Sequence, residues 1–167
     1  MPKEKYDFAG WVTKNDTRCS DGVVIKHGAF KDNDQKTVPL VWNHNHSEPT
    51  NVLGHVMLHN DEKGVYGYGY FNETDEAKHA KELIKHGDIS AMSIGANRIK
   101  KQGQNVIHGM IYEVSLVLRG ANPGALIETV MAHSDDSVET DKAIIYTGNL
   151  IHSADDILEQ QEEEVQH

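Results

Sequence analysis

Histidine, serine and glutamate recur in this chain at spacings that can do chemistry. In VPLVWNHNHSEPTNVLGHV, Val38 to Val56, a strand-forming run leads straight into Asn43-His44-Asn45-His46, with His55 and His59 close behind. If the strand runs on past Asn43, spacing two puts His44 and His46 on one face, and His55 and His59 share a face of the next strand. Four imidazoles on adjacent strands can hold zinc, copper or iron. A lone histidine beside a nucleophile can instead act as a general base. The second element is SAMSIGA, where Ser93 sits between small residues with Gly95 two positions on. The third is IYEVSLVLRGANPGA, in which Glu113 interrupts an apolar strand. A carboxylate in such a run is either solvated or buried and paired.

These three elements can form one unit. A serine needs a base to remove its proton, and the base needs an acceptor to fix its tautomer. His44, Ser93 and Glu113, each on a different strand, can meet as base, nucleophile and orienter. Ser93 is half of a Gly-x-Ser-x-Gly elbow, but Ala91 replaces the first glycine and SIGANRIKK continues as strand, not helix. That excludes the α/β-hydrolase arrangement. Gly95 is expected to let a substrate backbone approach and to free an amide for an oxyanion. The metal alternative uses His44, His46, His55 and His59. HNHSE is similar to the His-x-His-then-Glu pattern of cupins, although Glu48 follows His46 too soon and no glycine leads in at the right distance.

The elements that must position these residues are mostly strands. Tyr6–Lys14, VVIKHGAF, Val38–Asn43, the hairpin Val52–His59/Val65–Phe71, SAMSIGANRIKK and NVIHGMIYEVSLVL read as β. Gly64 is expected to supply a positive φ in the hairpin turn. Tyr66, Tyr68 and Tyr70 share one face and read as packing residues. Asn72 to Gly87 is one strong helix, with acids at its start, Lys85 and His86 at its end, and Ala77, Ala80, Leu83 and Ile84 as its buried stripe. Short strands at regular spacing suggest a small barrel or sandwich.

Charge divides the 167 residues. Residues 131–167 hold ten of the 26 acids and one of the 16 Lys and Arg, leaving 16 acids and 15 bases for the first 130. The tail is therefore expected to be an acidic, flexible extension with a weak helix at Ser153–Val165. No basic patch with interleaved aromatics marks a nucleic-acid partner. No apolar run approaches the ~20 residues of a membrane span, and MPKEKYDFAG lacks the apolar block of a signal peptide. Cys19, the single cysteine, sits in the polar turn NDTRCSDG, fits a reducing compartment and reads as a bystander.

Four segments, DGVVIKHGAF, VPLVWNHNHSEPTNVLGHV, GDISAMSIGA and YEVSLVLRGANPGA, resemble, in order, the prohead (capsid maturation) proteases of tailed bacteriophages. The resemblance covers about residues 5 to 127. That family is similar to the herpesvirus assembly protease, a serine protease built on a β-barrel flanked by helices. The resemblance implies a mainly β, α+β fold with a small closed or partly closed barrel over residues 1–130. It implies His44 as base, Ser93 as nucleophile and Glu113 as third member. The herpesvirus enzyme has a histidine there, which leaves His108 as an alternative orienter. The implied activity is cleavage of scaffold and major capsid protein, and of the chain itself, inside the immature capsid in the host cytoplasm. A homo-oligomer without cofactor, metal, nucleic-acid or membrane partner is expected. A non-catalytic assembly scaffold of the same fold is the other alternative.

Overall fold

Alternating apolar side chains make most of this chain strand. A computed structural model describes residues 5–132 and 144–147. In chain order the elements are β1 (Phe8–Lys14), β2 (Val24–Ile25), β3 (Thr37–Trp42), β4 (Val52–Asn60), β5 (Gly64–Phe71), α1 (Asp75–His86), β6 (Ala91–Gln102), β7 (Asn105–Val117), β8 (Ile127–Ala132) and β9 (Ile144–Thr147). Short 3-10 turns at Lys31–Asn33 and Pro49–Asn51 flank β3.

All nine strands join one sheet in the order β2-β7-β3-β4-β5-β1-β8-β9, with β6 on β7. Most neighbours are antiparallel, but β7 runs parallel to both β2 and β3. Between the starts of β6 and β8 the ladder is reduced to one bridge, Ala91 to Leu126. Two backbone bonds flank it, Met92 N–H to Ala125 O and Ile127 N–H to Ser90 O, both 2.9 Å. The sheet is therefore not closed by continuous pairing. The described residues form a mainly β fold with one α-helix.

One face of the sheet carries the core. Phe8, Val12, Leu40, Val56, Leu58, Met92, Val114 and Leu116 are all buried in one cluster. Each large apolar side chain there contributes about 1.5–3 kcal/mol. Helix α1 covers the cluster with Ala77, Ala80 and Ile84, and Leu83 packs at its margin. Its ends carry the expected signals. The Thr74 hydroxyl accepts from the Ala77 N–H (3.2 Å), and Gly87 closes the helix at φ 88°.

One expectation needs amendment. Gly64 takes no positive φ. A Cβ there would lie 2.3 Å from the Thr13 carbonyl oxygen, so this glycine admits the close approach of β1. β8 extends from Ile127 to Ala132, and Ile144–Thr147 of the acidic segment pairs with it as β9. The helix expected at Ser153–Val165 lies outside the described residues. The tyrosines do pack: Tyr66 sits edge-on to Trp11 and Tyr68, with centroids 5.0 and 5.3 Å away.

Candidate active site

Strand register gathers the site. In the β6–β7 ladder Ser93 lies opposite Ser115 and Gly95 opposite Glu113. Residues directly opposite share a face, and so do Glu113 and Ser115 at spacing two. This is the face away from Met92, Val114 and Leu116, so the polar side chains are kept out of the core.

A bulge adjusts the aim of Glu113. Gly95 pairs with Glu113 and Ala96 with Ile111, so Tyr112 is the extra residue. A bulge bends its strand and redirects the neighbouring side chains. Buried Asn33 takes up backbone groups of Ile111, donating from Nδ2 to its carbonyl (2.9 Å) and accepting from its N–H at Oδ1 (2.8 Å).

His44 arrives from the third strand. The parallel β3–β7 pair aligns Val41 with Ser115 and Trp42 with Leu116. The Asn43 N–H then donates to the Leu116 carbonyl (2.9 Å), and the chain turns. Asn43 and His44 adopt φ of 49° and 57°, and the Asn45 N–H donates back to the Trp42 carbonyl (2.9 Å). Two left-handed central residues closed by such a bond fit a type I′ turn. The expected continuation of the strand past Asn43 is thus replaced by a turn. The energetic cost of left-handed backbone at a non-glycine residue is often found at functional sites.

The turn brings the three predicted residues together. His44 Nε2 lies 3.0 Å from Ser93 Oγ, and His44 Nδ1 lies 2.5 Å from Glu113 Oε1. A carboxylate at Nδ1 calls for the proton on that nitrogen, leaving the Nε2 lone pair toward the serine. Glu113 is only 2% exposed, whereas the His44 side chain is 41% exposed. The buried carboxylate is paired on both oxygens, because Oε2 accepts from the Ser115 hydroxyl (2.8 Å). His46 stands outside this series, with Nε2 3.5 Å from Glu113 Oε1.

The other candidates go elsewhere. His108 Nε2 faces Asp32 at 3.9 Å and does not reach His44. His55 stacks on Tyr70, and His59 contacts Gln35 (2.9 Å) and Asp34 (3.4 Å). Among the described residues, no three His, Cys, Asp or Glu side chains converge as metal ligands. The four-histidine alternative fails because His44 leaves the sheet at the turn, while His55 sits opposite Pro39 in the β3–β4 pair. Cys19, in its polar turn, is buried, and burial with Asp21 nearby pushes its thiol up to about 11. It lines a groove of about 250 Å³ that Ser93, Ile94 and Ala96 also line.

Gly95 also makes room within the site. A Cβ there would lie 2.5 Å from Glu113 Oε1 and 2.8 Å from the Tyr112 ring. The bare glycine makes room for the carboxylate. Gly95→Ala should therefore displace Glu113 and lower stability by about 1–3 kcal/mol, the usual cost of overpacking. A thermal melt with a parallel cleavage assay checks this; an unchanged melt with full activity would refute it. Ser115 is the participant that sequence reasoning missed. Only its position two residues after Glu113 on an alternating strand could have flagged it.

The fold has relatives among solved structures. The KSHV protease in complex with a hexapeptide phosphonate inhibitor aligns with TM-score 0.53 at 13% identity, over 74% of this chain and 64% of that one. The match thus spans less than two thirds of the KSHV chain. A second KSHV protease structure aligns with TM-score 0.48 at 12% identity, over 95% and 84% of the two chains. No curated protein sequence matches. Serine, imidazole and buried carboxylate thus stand in series on a fold similar to that of the KSHV protease. The chain belongs to the caudovirus prohead serine proteases, whose family model matches residues 4–140.

Proposed function

We propose that this chain is a capsid-maturation endopeptidase with Ser93 as nucleophile, His44 as general base and Glu113 as the group that orients His44. The observation that carries the reading is the unbroken hydrogen-bond series from Ser93 through His44 to a buried Glu113. Ser93 Oγ attacks the scissile carbonyl carbon as His44 Nε2 takes its proton. Glu113 stabilises the resulting imidazolium without accepting the proton itself. Collapse of the tetrahedral intermediate breaks the C–N bond, and Nε2 protonates the departing amine. A water then repeats the sequence and releases the new carboxylate.

Family membership supports scaffold and major capsid protein as substrates, reached inside the immature capsid in the host cytoplasm, with the chain itself as a further one. We place the protease domain at residues 1–130 and read 131–167 as an acidic extension. The Ala91–Leu126 bridge supports a partly closed barrel, and the assembled state is read as a homo-oligomer. The test is mass spectrometry of proheads assembled with this chain and their own scaffold and capsid proteins. Defined cleavages that vanish with a serine-directed phosphonate are expected; intact partners over the full maturation period would refute the proposal.

A further inference from the structure

We infer that Ser115 is a positioning residue of this site, holding Glu113 and His44 in their paired geometry; the inference rests on the catalytic reading above. Ser115 is fully buried, and its Oγ touches both partners. It donates to Glu113 Oε2 at 2.8 Å and accepts from the His44 backbone N–H at 2.9 Å. It also lies 3.2 Å from His44 Nδ1.

A hydroxyl has one proton to give. With that proton on Glu113 Oε2, its lone pairs are left for His44. The carboxylate can then present Oε1 to the imidazole and cannot swing away without breaking the Ser115 bond. A rival lies close by, since His46 Nε2 is 3.5 Å from the same Oε1. The bond to the His44 N–H does the second part of the work. It anchors the backbone of a residue at φ 57°, a conformation that local sterics disfavour. One side chain therefore fixes the carboxylate rotamer and the turn that carries the imidazole. An alanine would leave Glu113 Oε2 and the His44 N–H without that partner, while the packed volume barely changes.

The experiment uses the full chain and a fluorophosphonate probe, which reads nucleophile activation without a known peptide substrate. The Ser93 Oγ displaces fluoride from phosphorus and yields its proton to His44. Wild type should label at Ser93, located by mass spectrometry, and Ser93→Ala should not label. Ser115→Ala should keep a cooperative melt yet label roughly 10- to 100-fold more slowly, as expected for losing a hydrogen bond to a charged group. The downfield Nδ1–H proton resonance, assigned by its loss in His44→Ala, should shift or broaden in Ser115→Ala. Ser115→Cys, which keeps a weak donor, should fall between the two.

Wild-type labelling by Ser115→Ala, or slower labelling with that resonance unmoved, would overturn the positioning role. Should Ser115→Ala fail to fold, Ser115→Cys decides: wild-type labelling refutes the role and intermediate labelling supports it. Labelling that persists in Ser93→Ala would sink the catalytic reading itself.

Discussion

Ser93→Ala should fold normally, accumulate at full length and leave its partner proteins uncut. The substitution removes one half-buried hydroxyl and adds no bulk, and the bond lost is the 3.0 Å contact to His44 Nε2. Stability should change by only ~1 kcal/mol, the usual worth of a hydrogen bond. Activity has no such cushion. Without its nucleophile the site keeps only binding and electrostatic contributions, and the loss is on the order of a million-fold. Ser90→Ala is the control. Ser90 precedes β6 and contributes its backbone carbonyl to the Ile127 N–H, a bond the substitution leaves alone. Processing of the partner proteins, followed by intact mass beside a thermal melt, separates the outcomes. Near-wild-type processing by Ser93→Ala would end the serine reading, and an unfolded variant would make Ser93 structural.

The second large effect should come from His44→Ala set against His46→Ala. Both histidines approach Glu113 Oε1, at 2.5 and 3.5 Å, and their side chains are similarly exposed. Only His44 also reaches Ser93. Removing it takes away the base and leaves Glu113 without the imidazole, so cleavage should drop by several orders of magnitude. Removing His46 loses a half-exposed ion contact worth about 0–1 kcal/mol, which corresponds to a change of roughly fivefold or less. Initial rates for the two variants under identical conditions settle the matter. Equal and complete loss in both would mean that the two imidazoles act together, and the role given to His44 would have to be withdrawn.

How far the sequence speaks for itself depends on the range of the interaction concerned. The helix α1 was legible, because the acids of its first turn, Lys85 and His86 in its last and Gly87 at its end are local signals that act within one turn. The β4–β5 hairpin was legible for the same reason. Ser93 could be singled out by its small neighbours and Gly95 two positions on, and Glu113 because it interrupts an apolar strand. What the sequence left open was register. Whether Ser93 faces Ser115 or a neighbour is fixed by the β6–β7 ladder and its bulge at Tyr112, and a shift of one residue would reverse every side chain. The turn at Asn43–His44 was hidden because strand-forming residues lead into it and nothing at His44 announces a left-handed backbone. The room that Gly95 leaves for Glu113 could not be read, because its neighbour across the ladder could not be seen. β8 went unread, as its polar Glu128 and Thr129 interrupt the apolar pattern. Glu128 is held there by Trp11 Nε1 (2.9 Å) and the Tyr66 hydroxyl (3.0 Å).

The parallel pairing of β3 with β7 bears on when the proposed site can exist at all. Ser93 and Glu113 belong to one hairpin and can meet early, since short loops close at low entropic cost. His44 joins Glu113 across a sequence separation of 69 residues and Ser115 across 71. Contacts of that range are slow to form and are made only once the intervening chain is in place. During synthesis the imidazole emerges first but has nothing to dock against until β7 has left the ribosome. On the proposed assignment, a nascent or half-folded copy carries Ser93 and Glu113 without the imidazole between them. If Ser93, His44 and Glu113 act as proposed, the order of strand pairing sets a delay, because the site is complete only when the long-range β3–β7 pair closes.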